Sequence, residues 1–214
     1  MSNFKSVHKF GQGEIIINKS RFIGSAAPVN NEEEAIEFIG IIKKEFRDAS
    51  HNVYAYSIGE NANLQRFTDD GEPSGTAGMP VLNVINQENL RNVAVVVTRY
   101  FGGVLLGAGG LVRAYTKCAK IGLENGLIVD KVLYYDIFVK IEYTLLGKME
   151  NELTKNKFII KDKIFEENVI LHVLSRGDDL ERLNNLINEV TSGKSDIKIG
   201  QTSYYSIKDD KIVE

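Results

Sequence analysis

A glycine-rich segment, RYFGGVLLGAGGLVRAY, holds the residues best suited to binding a ligand. It begins at Arg99 and continues past Arg113, between an apolar run and a predicted helix. Its five glycines are Gly102, Gly103, Gly107, Gly109 and Gly110. A helix N-terminus presents free backbone N–H groups and a positive dipole, and an arginine on either side can hold a phosphate or carboxylate. The segment is therefore a candidate anion-binding site.

The pattern of these glycines excludes two common phosphate-binding motifs. The segment matches neither the P-loop pattern, which ends in Lys followed by Ser or Thr, nor the G-x-G-x-x-G pattern of dinucleotide-binding proteins. Glycine also lets a helix approach a sheet closely and permits a positive φ angle. From the residues alone, anion binding and close packing are both open explanations.

A second polar segment, RFTDDGEPSG, begins at Arg66 and contains Asp69, Asp70 and Glu72. Such carboxylates can bind Mg²⁺ or Ca²⁺, but their spacing is not that of an EF-hand. The same residues are typical of a tight turn, so we favour a turn with an ion pair over a metal site. Ser74 lies outside the G-x-S-x-G pattern of a serine hydrolase.

His51 is the histidine best placed to join this polar cluster, because it directly precedes the predicted strand Asn52–Ile58. No complete set of nucleophile and base is visible, so the sequence predicts no catalytic residue, no metal and no cofactor. Arg99 has a further possible role, which is to pair internally with Asp69 or Asp70. In that case the glycine segment would be a structural clasp.

Alternating strand and helix patterns predict the elements that position these residues. The strands are Glu14–Ile17, Arg21–Val29, Asn52–Ile58 and Val93–Thr98, and the helices are Asn31–Phe46, Thr76–Asn86 and Gly110–Asn125. A turn at Asn18–Ser20 joins the first two strands, and Asn31 with Glu34 is typical of a capping box. Gly126 is placed to end the last helix. Residues Gly59–Ser74 are polar and show no periodicity.

The rest of the chain predicts a second domain. Its elements are a strand at Val132–Tyr143, a helix at Leu145–Leu153, a hairpin of Phe158–Phe165 and Val169–Leu174, a helix at Leu180–Val190 with Asp178 as its cap, and a strand at Asp196–Ile207. The order β-α-β-β-α-β is typical of a ferredoxin-like domain. We therefore expect an α+β chain of two domains, residues 1–128 and 132–214.

Charge and composition restrict the partners of the chain. The net charge of −3 and pI of about 5.7 argue against sequence-independent coating of DNA. Residues 1–131 carry as many Lys and Arg as Asp and Glu, so a polyanion would bind there rather than to the acidic remainder. No apolar run is long enough for a signal peptide or a membrane span, so no membrane partner is expected. A single cysteine, Cys118, has helical spacing from apolar residues, which predicts a core thiol in a cytoplasmic protein.

Four blocks of the sequence together resemble the Impact family. They are KSRFIGSAAPV, HNVYAYSIG, RFTDDGEPSGTAGMPVLNVI and VAVVVTRYFGGVLLGAGGLVRAYTKCA. The resemblance implies an N-terminal α/β sandwich like the second domain of a small-subunit ribosomal protein and domain IV of elongation factor G. It also implies a small ferredoxin-like C-terminal domain, like domain V of that factor. Fold alone does not determine function.

The resemblance also implies a set of shared motif positions and a field of function. The positions are Arg21, His51, Arg66, Asp69, Asp70, Gly71, Glu72, Pro73, Gly75, Arg99, Gly102, Gly103, Gly107, Gly109, Gly110 and Arg113. Eukaryotic members of the family are translation regulators that bind a large activator of a stress-response kinase. Nucleic-acid or ribosome binding is proposed for bacterial members.

Three hypotheses follow, of which we favour a non-enzymatic module that binds RNA or the ribosome. Its anion-binding residues would be Arg66, Arg99, Arg113 and the five glycines, supported by Arg21, His51, Asp69, Asp70, Glu72 and Ser74. One alternative is an enzyme that binds a small anion or nucleotide and uses the 99–113 loop and the 66–76 acidic turn for phosphoryl transfer or hydrolysis. The other is an adaptor that binds a protein partner.

Overall fold

The chain folds into two compact units, as shown by a computed structural model that describes residues 3–59, 61–209 and 211–213. The first unit contains the residues up to Lys131 together with the segment that begins at Ser206. The second unit is Val132–Tyr205. The change of unit after Lys131 lies close to the expected boundary. The segment from Ser206, however, belongs to the first unit, whereas the sequence predicted it in the second domain with the rest of 132–214.

The contacts of Ser206 explain this difference. Lys131 Nζ donates a hydrogen bond to Ser206 Oγ at 2.9 Å, and His8 Nδ1 lies 2.9 Å from the same oxygen. The chain then pairs with itself, because Ile207 lies opposite Ile212 in an antiparallel ladder. The C-terminal segment therefore packs with residues that are distant in sequence, which no local pattern reveals.

An antiparallel sheet of five strands forms the centre of the first unit. A short strand outside this sheet, β1 (Phe4–Val7), comes first in the chain. The five strands of the sheet are β2 (Gly11–Ile17), β3 (Ser20–Pro28), β4 (His51–Ile58), β5 (Leu64–Thr68) and β6 (Val93–Tyr100). The order across the sheet is β2-β3-β6-β4-β5. Strand β6 is central and almost wholly buried, as its continuous β-branched run predicts.

Helices cover both faces of this sheet. They are α1 (Glu32–Glu45), α2 (Gly78–Gln87) and α3 (Gly107–Asn125). Val95 and Val97 of β6 share one core with α2 and α3, while Ala94 and Val96 share the other core with α1. Alternate residues of one strand thus fill two cores, as the two-residue period of a strand requires. The expected α/β sandwich is confirmed.

Short-range signals predicted several element ends correctly. Asn31 Oδ1 accepts a hydrogen bond from the Glu34 N–H at 2.8 Å and caps α1. Asn18 and Lys19 both have positive φ angles and form the two-residue turn between β2 and β3. Gly126 ends α3, but the left-handed residue is Leu127, with φ of 60°.

Two predictions in this unit need correction. The segment Gly59–Ser74 contains strand β5, which the sequence analysis missed because this edge strand is only partly buried. Helix α3 begins at Gly107 rather than Gly110, so the last three glycines lie in its first turn. Glycine has low helix propensity, which is why the pattern placed them in a loop.

The second unit has the ferredoxin-like order of elements. They are β7 (Ile128–Ile141), α4 (Leu146–Lys155), β8 (Ile159–Phe165), β9 (Val169–Ser175), α5 (Leu180–Thr191) and β10 (Asp196–Lys208). A short strand β11 (Lys211–Ile212) follows. Strand order β10-β7-β9-β8 confirms the predicted fold. Buried side chains from β7, β9, α4 and α5 form its core.

The predicted cap of α5 is wrong. Asp178 lies in a short 3-10 turn, and the N-cap position is Asp179. The Asp179 carboxylate does not cap the helix either, because its Oδ1 accepts hydrogen bonds from the Arg182 guanidinium. Over the described part of the chain, no helix is long and apolar enough to cross a membrane.

Close approach of α3 to the sheet depends on Gly24, and this generates a testable prediction. A Cβ at Gly24 would lie 2.1 Å from the Cys118 carbonyl oxygen, whereas a Cβ at Gly40 on α1 meets nothing within 4 Å. We expect Gly24→Ala to destabilise the fold by about 3 kcal/mol because α3 must shift. Gly40→Ala, the matched control, should stabilise it by about 0.5–1 kcal/mol. Urea unfolding of both variants measures the difference, and equal effects would contradict the close approach.

Candidate functional site

A buried ion pair joins the end of β6 to the acidic turn. Arg99 Nη1 donates to Glu72 Oε1 at 2.6 Å, and both side chains are more than nine-tenths buried. The Tyr115 hydroxyl on α3 donates to the same oxygen at 2.7 Å. Burial and this hydrogen bond to Glu72 raise the pKa of Tyr115 far above its ordinary value, so it remains protonated. Arg99 therefore does pair internally, but with Glu72 rather than with Asp69 or Asp70.

His51 lies beside this pair, and its ring is held in one orientation. Its Nδ1 is 2.7 Å from the Asp70 carbonyl oxygen, which can only accept, so Nδ1 carries a proton. Its Nε2 faces Glu72 Oε1 at 4.0 Å. The register of the sheet places His51 next to Arg99, because His51 of β4 and Phe22 of β3 lie opposite Arg99 on the two neighbouring strands.

Asp69 caps helix α2 from outside the helix. Its carboxylate accepts hydrogen bonds from the N–H groups of Gly75, Ala77 and Gly78 at 2.9, 3.1 and 2.8 Å. Burial of Asp69 raises its pKa, but the three backbone donors outweigh this effect and the net pKa is lowered. The carboxylate thus satisfies backbone donors that the start of α2 leaves free.

Asp70 is equally occupied by internal contacts. Its Oδ2 accepts from the Asn52 N–H at 2.6 Å, and its Oδ1 lies 3.3 Å from Lys43 Nζ. Asp70 and Gly71 have φ angles of 47° and 88°, which makes the tight turn that the sequence predicted. Within the described ranges, no group of three His, Cys, Asp or Glu side chains could hold a metal ion. The turn with an ion pair is the arrangement observed.

A cleft of about 370 Å³ opens beside the buried pair. Its polar lining is His51, Glu72 and Arg99, and its apolar lining comes mainly from Phe101, Leu105, Leu106 and Leu111. Gly107 and Ala108, the first two residues of α3, also line it. The cleft therefore combines a polar floor, an apolar wall and the start of a helix.

Arg99, which lines the cleft, has a side-chain donor that lacks an acceptor. Its Nε is buried and has no hydrogen-bond partner among the residues that the structure describes. The Arg99 guanidinium lies between the rings of Phe22 and Phe101, each 5.4 Å from its centre. Its Nη2 is 3.5 Å from Ser20 Oγ, a weak contact. Buried donors of this kind are rare in native proteins and call for an explanation.

The five glycines of the loop have different roles. Gly102 packs against the backbone of Lys19, where an added Cβ would lie 2.0 Å from its carbonyl carbon. Gly103 and Gly107 have positive φ angles and open space around them. Gly109 and Gly110 lie in the first turn of α3, whose N-cap residue Leu106 makes no side-chain cap hydrogen bond. Close packing therefore explains Gly102, while the exposed helix start leaves room for an anion.

The predicted basic residues are not brought together. Arg113 is exposed on α3, while Arg21 forms an exposed ion pair with Glu14. Arg66 lies on the edge strand β5 and donates to the neighbouring Gln65 carbonyl. Ser74 is exposed beside the acidic turn. The anion-binding role of these residues stays a prediction.

Two residues of the site were not predicted from the sequence. Tyr115 was not singled out, although its hydroxyl is a partner of Glu72. Lys117 lies one turn after Arg113 on the exposed face of α3 and was not singled out. The charge pattern could have indicated Lys117, since residues 89–123 contain Lys and Arg but no Asp or Glu.

Comparison with known families covers both parts of the chain. Residues 18–123 match the family model described as the Impact N-terminal domain. Residues 139–194 match a model described as a domain of unknown function, DUF1949. A crystal structure of a hypothetical protein aligns with a TM-score of 0.60 and 28% identity, over 94% of this chain and 98% of that one.

Individual proteins extend this similarity over nearly the whole chain. The IMPACT family member YvyE of Bacillus subtilis is 44% identical over 204 residues, which are 95% of this chain and 94% of YvyE. YigZ of Escherichia coli is 44% identical over 151 residues, which are 66% of this chain and 74% of YigZ. Protein IMPACT of Homo sapiens is 34% identical over 124 residues, which are 56% of this chain and 33% of that protein.

The buried pair makes a prediction about stability. Glu72→Leu leaves the Arg99 charge buried without its partner, and we expect a loss of about 3–5 kcal/mol. The double variant Glu72→Leu/Arg99→Met removes both charges and should recover part of that loss. The exposed pair Arg21–Glu14 provides the control, since Glu14→Leu should cost at most about 1 kcal/mol. Urea unfolding tests this, and a double variant less stable than Glu72→Leu would contradict it.

The cap provided by Asp69 makes a prediction about pH. The pKa of Asp69 is lower in the folded state than in the unfolded state. Its charge therefore stabilises the fold fully above the ordinary pKa of 3.8, and this stabilisation is lost as pH falls through the folded-state pKa. Asp69→Asn should therefore destabilise the protein by about 1–2 kcal/mol at neutral pH, and by less in acid. Asp178→Asn removes an exposed carboxylate and serves as control. A deficit in Asp69→Asn that does not change with pH would contradict the role of the charge.

Proposed function

Because this chain belongs to the Impact family, we propose that it is a non-enzymatic protein that associates with RNA or the ribosome and takes part in translation or its regulation. The observation that carries the proposal is a basic, unpaired face of α3, together with an exposed aromatic residue in the loop that precedes this helix. The location we propose is the cytoplasm, in keeping with the single thiol of Cys118, which is buried and whose pKa burial raises to about 12.

The basic face consists of Arg113 and Lys117 on α3. They are four residues apart, so they lie on the same side of the helix. Both are exposed, and neither forms a hydrogen bond or ion pair with any residue in the described ranges. Lys120, further along α3, differs because it lies 3.7 Å from Glu88. Arg113 and Lys117 are thus free to neutralise phosphates.

The loop before α3 adds apolar contacts to this charge. Phe101 is 48% exposed and Leu105 is 86% exposed. An exposed aromatic ring can stack on a nucleic-acid base, and stacking tolerates any base sequence. Basic side chains and exposed aromatic rings are the groups that bind single-stranded RNA without strict sequence preference, and this part of the chain presents both.

The acidic turn supports this proposal more than the enzymatic alternative. Asp69 binds three backbone N–H groups, and Asp70 contacts a backbone N–H group and a lysine. Glu72 holds Arg99 and Tyr115. The three carboxylates that phosphoryl transfer would need are thus all engaged in holding the fold together.

The proposal predicts RNA binding that depends on salt and on α3. The double variant Arg113→Ala/Lys117→Ala should lose about tenfold in affinity for a single-stranded RNA oligonucleotide at low salt. The slope of log K against log salt should become shallower by about 1.4, as expected for two lost phosphate contacts. Fluorescence anisotropy measures both quantities, and co-sedimentation with ribosomes extends the test.

Lys140→Ala/Lys148→Ala is the matched control, because it removes two exposed lysines from the second unit. We expect it to bind RNA as the unaltered chain does. Equal loss in both double variants would show non-specific attraction and contradict the proposal. Ribosome association that resists salt and does not need Arg113 or Lys117 would also contradict it, and would favour a protein partner at the exposed Leu105.

A further inference from the structure

We propose that the cleft beside Arg99 binds a small molecule that has an anionic group, carboxylate or phosphate, attached to an apolar body. The cleft is lined by His51, Glu72, Arg99 and the first residues of α3. Its volume of about 370 Å³ lies in the range of small-molecule sites in proteins. This inference does not depend on the RNA-binding proposal, which rests on Arg113 and Lys117.

The start of α3 supplies donors for the anionic group. Gly107 and Ala108 line the cleft, and Leu106 at the N-cap position makes no side-chain cap hydrogen bond. The first N–H groups of a helix have no partner within it, and α3 is 19 residues long, so its dipole favours negative charge at this end. A carboxylate or phosphate at this position would satisfy these donors.

Arg99 gives a second and independent reason to expect a ligand. Its side chain is 6% exposed and lines the cleft, and its Nε has no acceptor in the described part of the chain. Leaving a buried donor unpaired costs about 1–3 kcal/mol. Nε itself has almost no exposed surface, so a ligand oxygen would offset this cost after a shift of the side chains that cover it. Glu72 already balances the charge of Arg99. The site therefore requires a ligand that offers a hydrogen-bond acceptor to Arg99, and this ligand does not need a large negative charge.

His51 and the apolar wall complete the recognition. The His51 ring uses Nδ1 to donate to the Asp70 carbonyl, which leaves Nε2 as the ring nitrogen that a ligand hydroxyl can contact. Phe101, Leu105, Leu106 and Leu111 face the cleft and offer contact to a hydrocarbon or aromatic group. The cleft therefore fits a molecule with a polar, charged end and an apolar end.

Titration of the full chain followed by amide NMR tests this site. The probes are phenyl phosphate and phenylacetate, which share an aromatic body but differ in the anionic group. Benzyl alcohol, which has the same body without charge, is the control. We expect one or both anions to shift the amide signals of Gly107 and Ala108 with a dissociation constant of about 1 mM or lower. The two arms show which anionic group the site prefers.

Substitution of Leu105 tests the charge requirement without disturbing the core, because this side chain is 86% exposed. Leu105→Glu should weaken anion binding about threefold and Leu105→Lys should strengthen it by a similar factor. Ile36→Glu, an equivalent change at an exposed position of α1, should leave binding unchanged. Arg113→Ala/Lys117→Ala should also leave it nearly unchanged, so failure of this site and failure of RNA binding are distinguishable.

Three results would overturn the inference. The first is no shift of the Gly107 and Ala108 signals with either anion. The second is an equal shift with benzyl alcohol, which would show apolar contact alone. The third is equal weakening by Leu105→Glu and Ile36→Glu, which would show that only the overall charge of the protein matters.

Discussion

The buried pair of Arg99 and Glu72 is the contact on which the first unit depends. Taking two charges out of water is costly, and only close geometry with further hydrogen bonds compensates for it. Here Arg99 Nη1 lies 2.6 Å from Glu72 Oε1, and the Tyr115 hydroxyl is a second donor to that oxygen. Three elements meet at this point: the central strand β6, the acidic turn and helix α3. Loss of one partner would leave a buried charge and loosen all three.

The acidic turn shows how adjacent carboxylates acquire separate structural roles. Asp69 satisfies the start of α2, Asp70 holds the start of β4, and Glu72 neutralises Arg99. The positive φ angles of Asp70 and Gly71 turn the chain between them, so neighbouring side chains point to different elements. A cluster that resembles a cation site in sequence is thereby dispersed in the structure. The cleft beside it is lined by Arg99, whose Nε has no acceptor among the residues that the structure describes.

Local and repetitive signals allowed much of the fold to be predicted. The cap at Asn31, the buried run of β6 and the ferredoxin-like order all depend on residues close in sequence. The family resemblance, now supported over nearly the whole chain, added the sandwich fold. The partner of Arg99 could not be predicted, because choosing Glu72 over Asp69 or Asp70 depends on the turn geometry and on strand register. Strand β5 was missed because an exposed edge strand needs no apolar alternation.

The division of the chain into units has a consequence for its synthesis. The first unit contains residues that precede the second unit in the sequence and residues that follow it, so the second unit is an insertion in the sequence of the first. Chains emerge from the ribosome from the N-terminus, and domains generally fold as units. The segment from Ser206, whose hydroxyl accepts a hydrogen bond from Lys131, is made after the second unit. The second unit can therefore fold before the first is complete, and the first is completed only after the segment from Ser206 has left the ribosome.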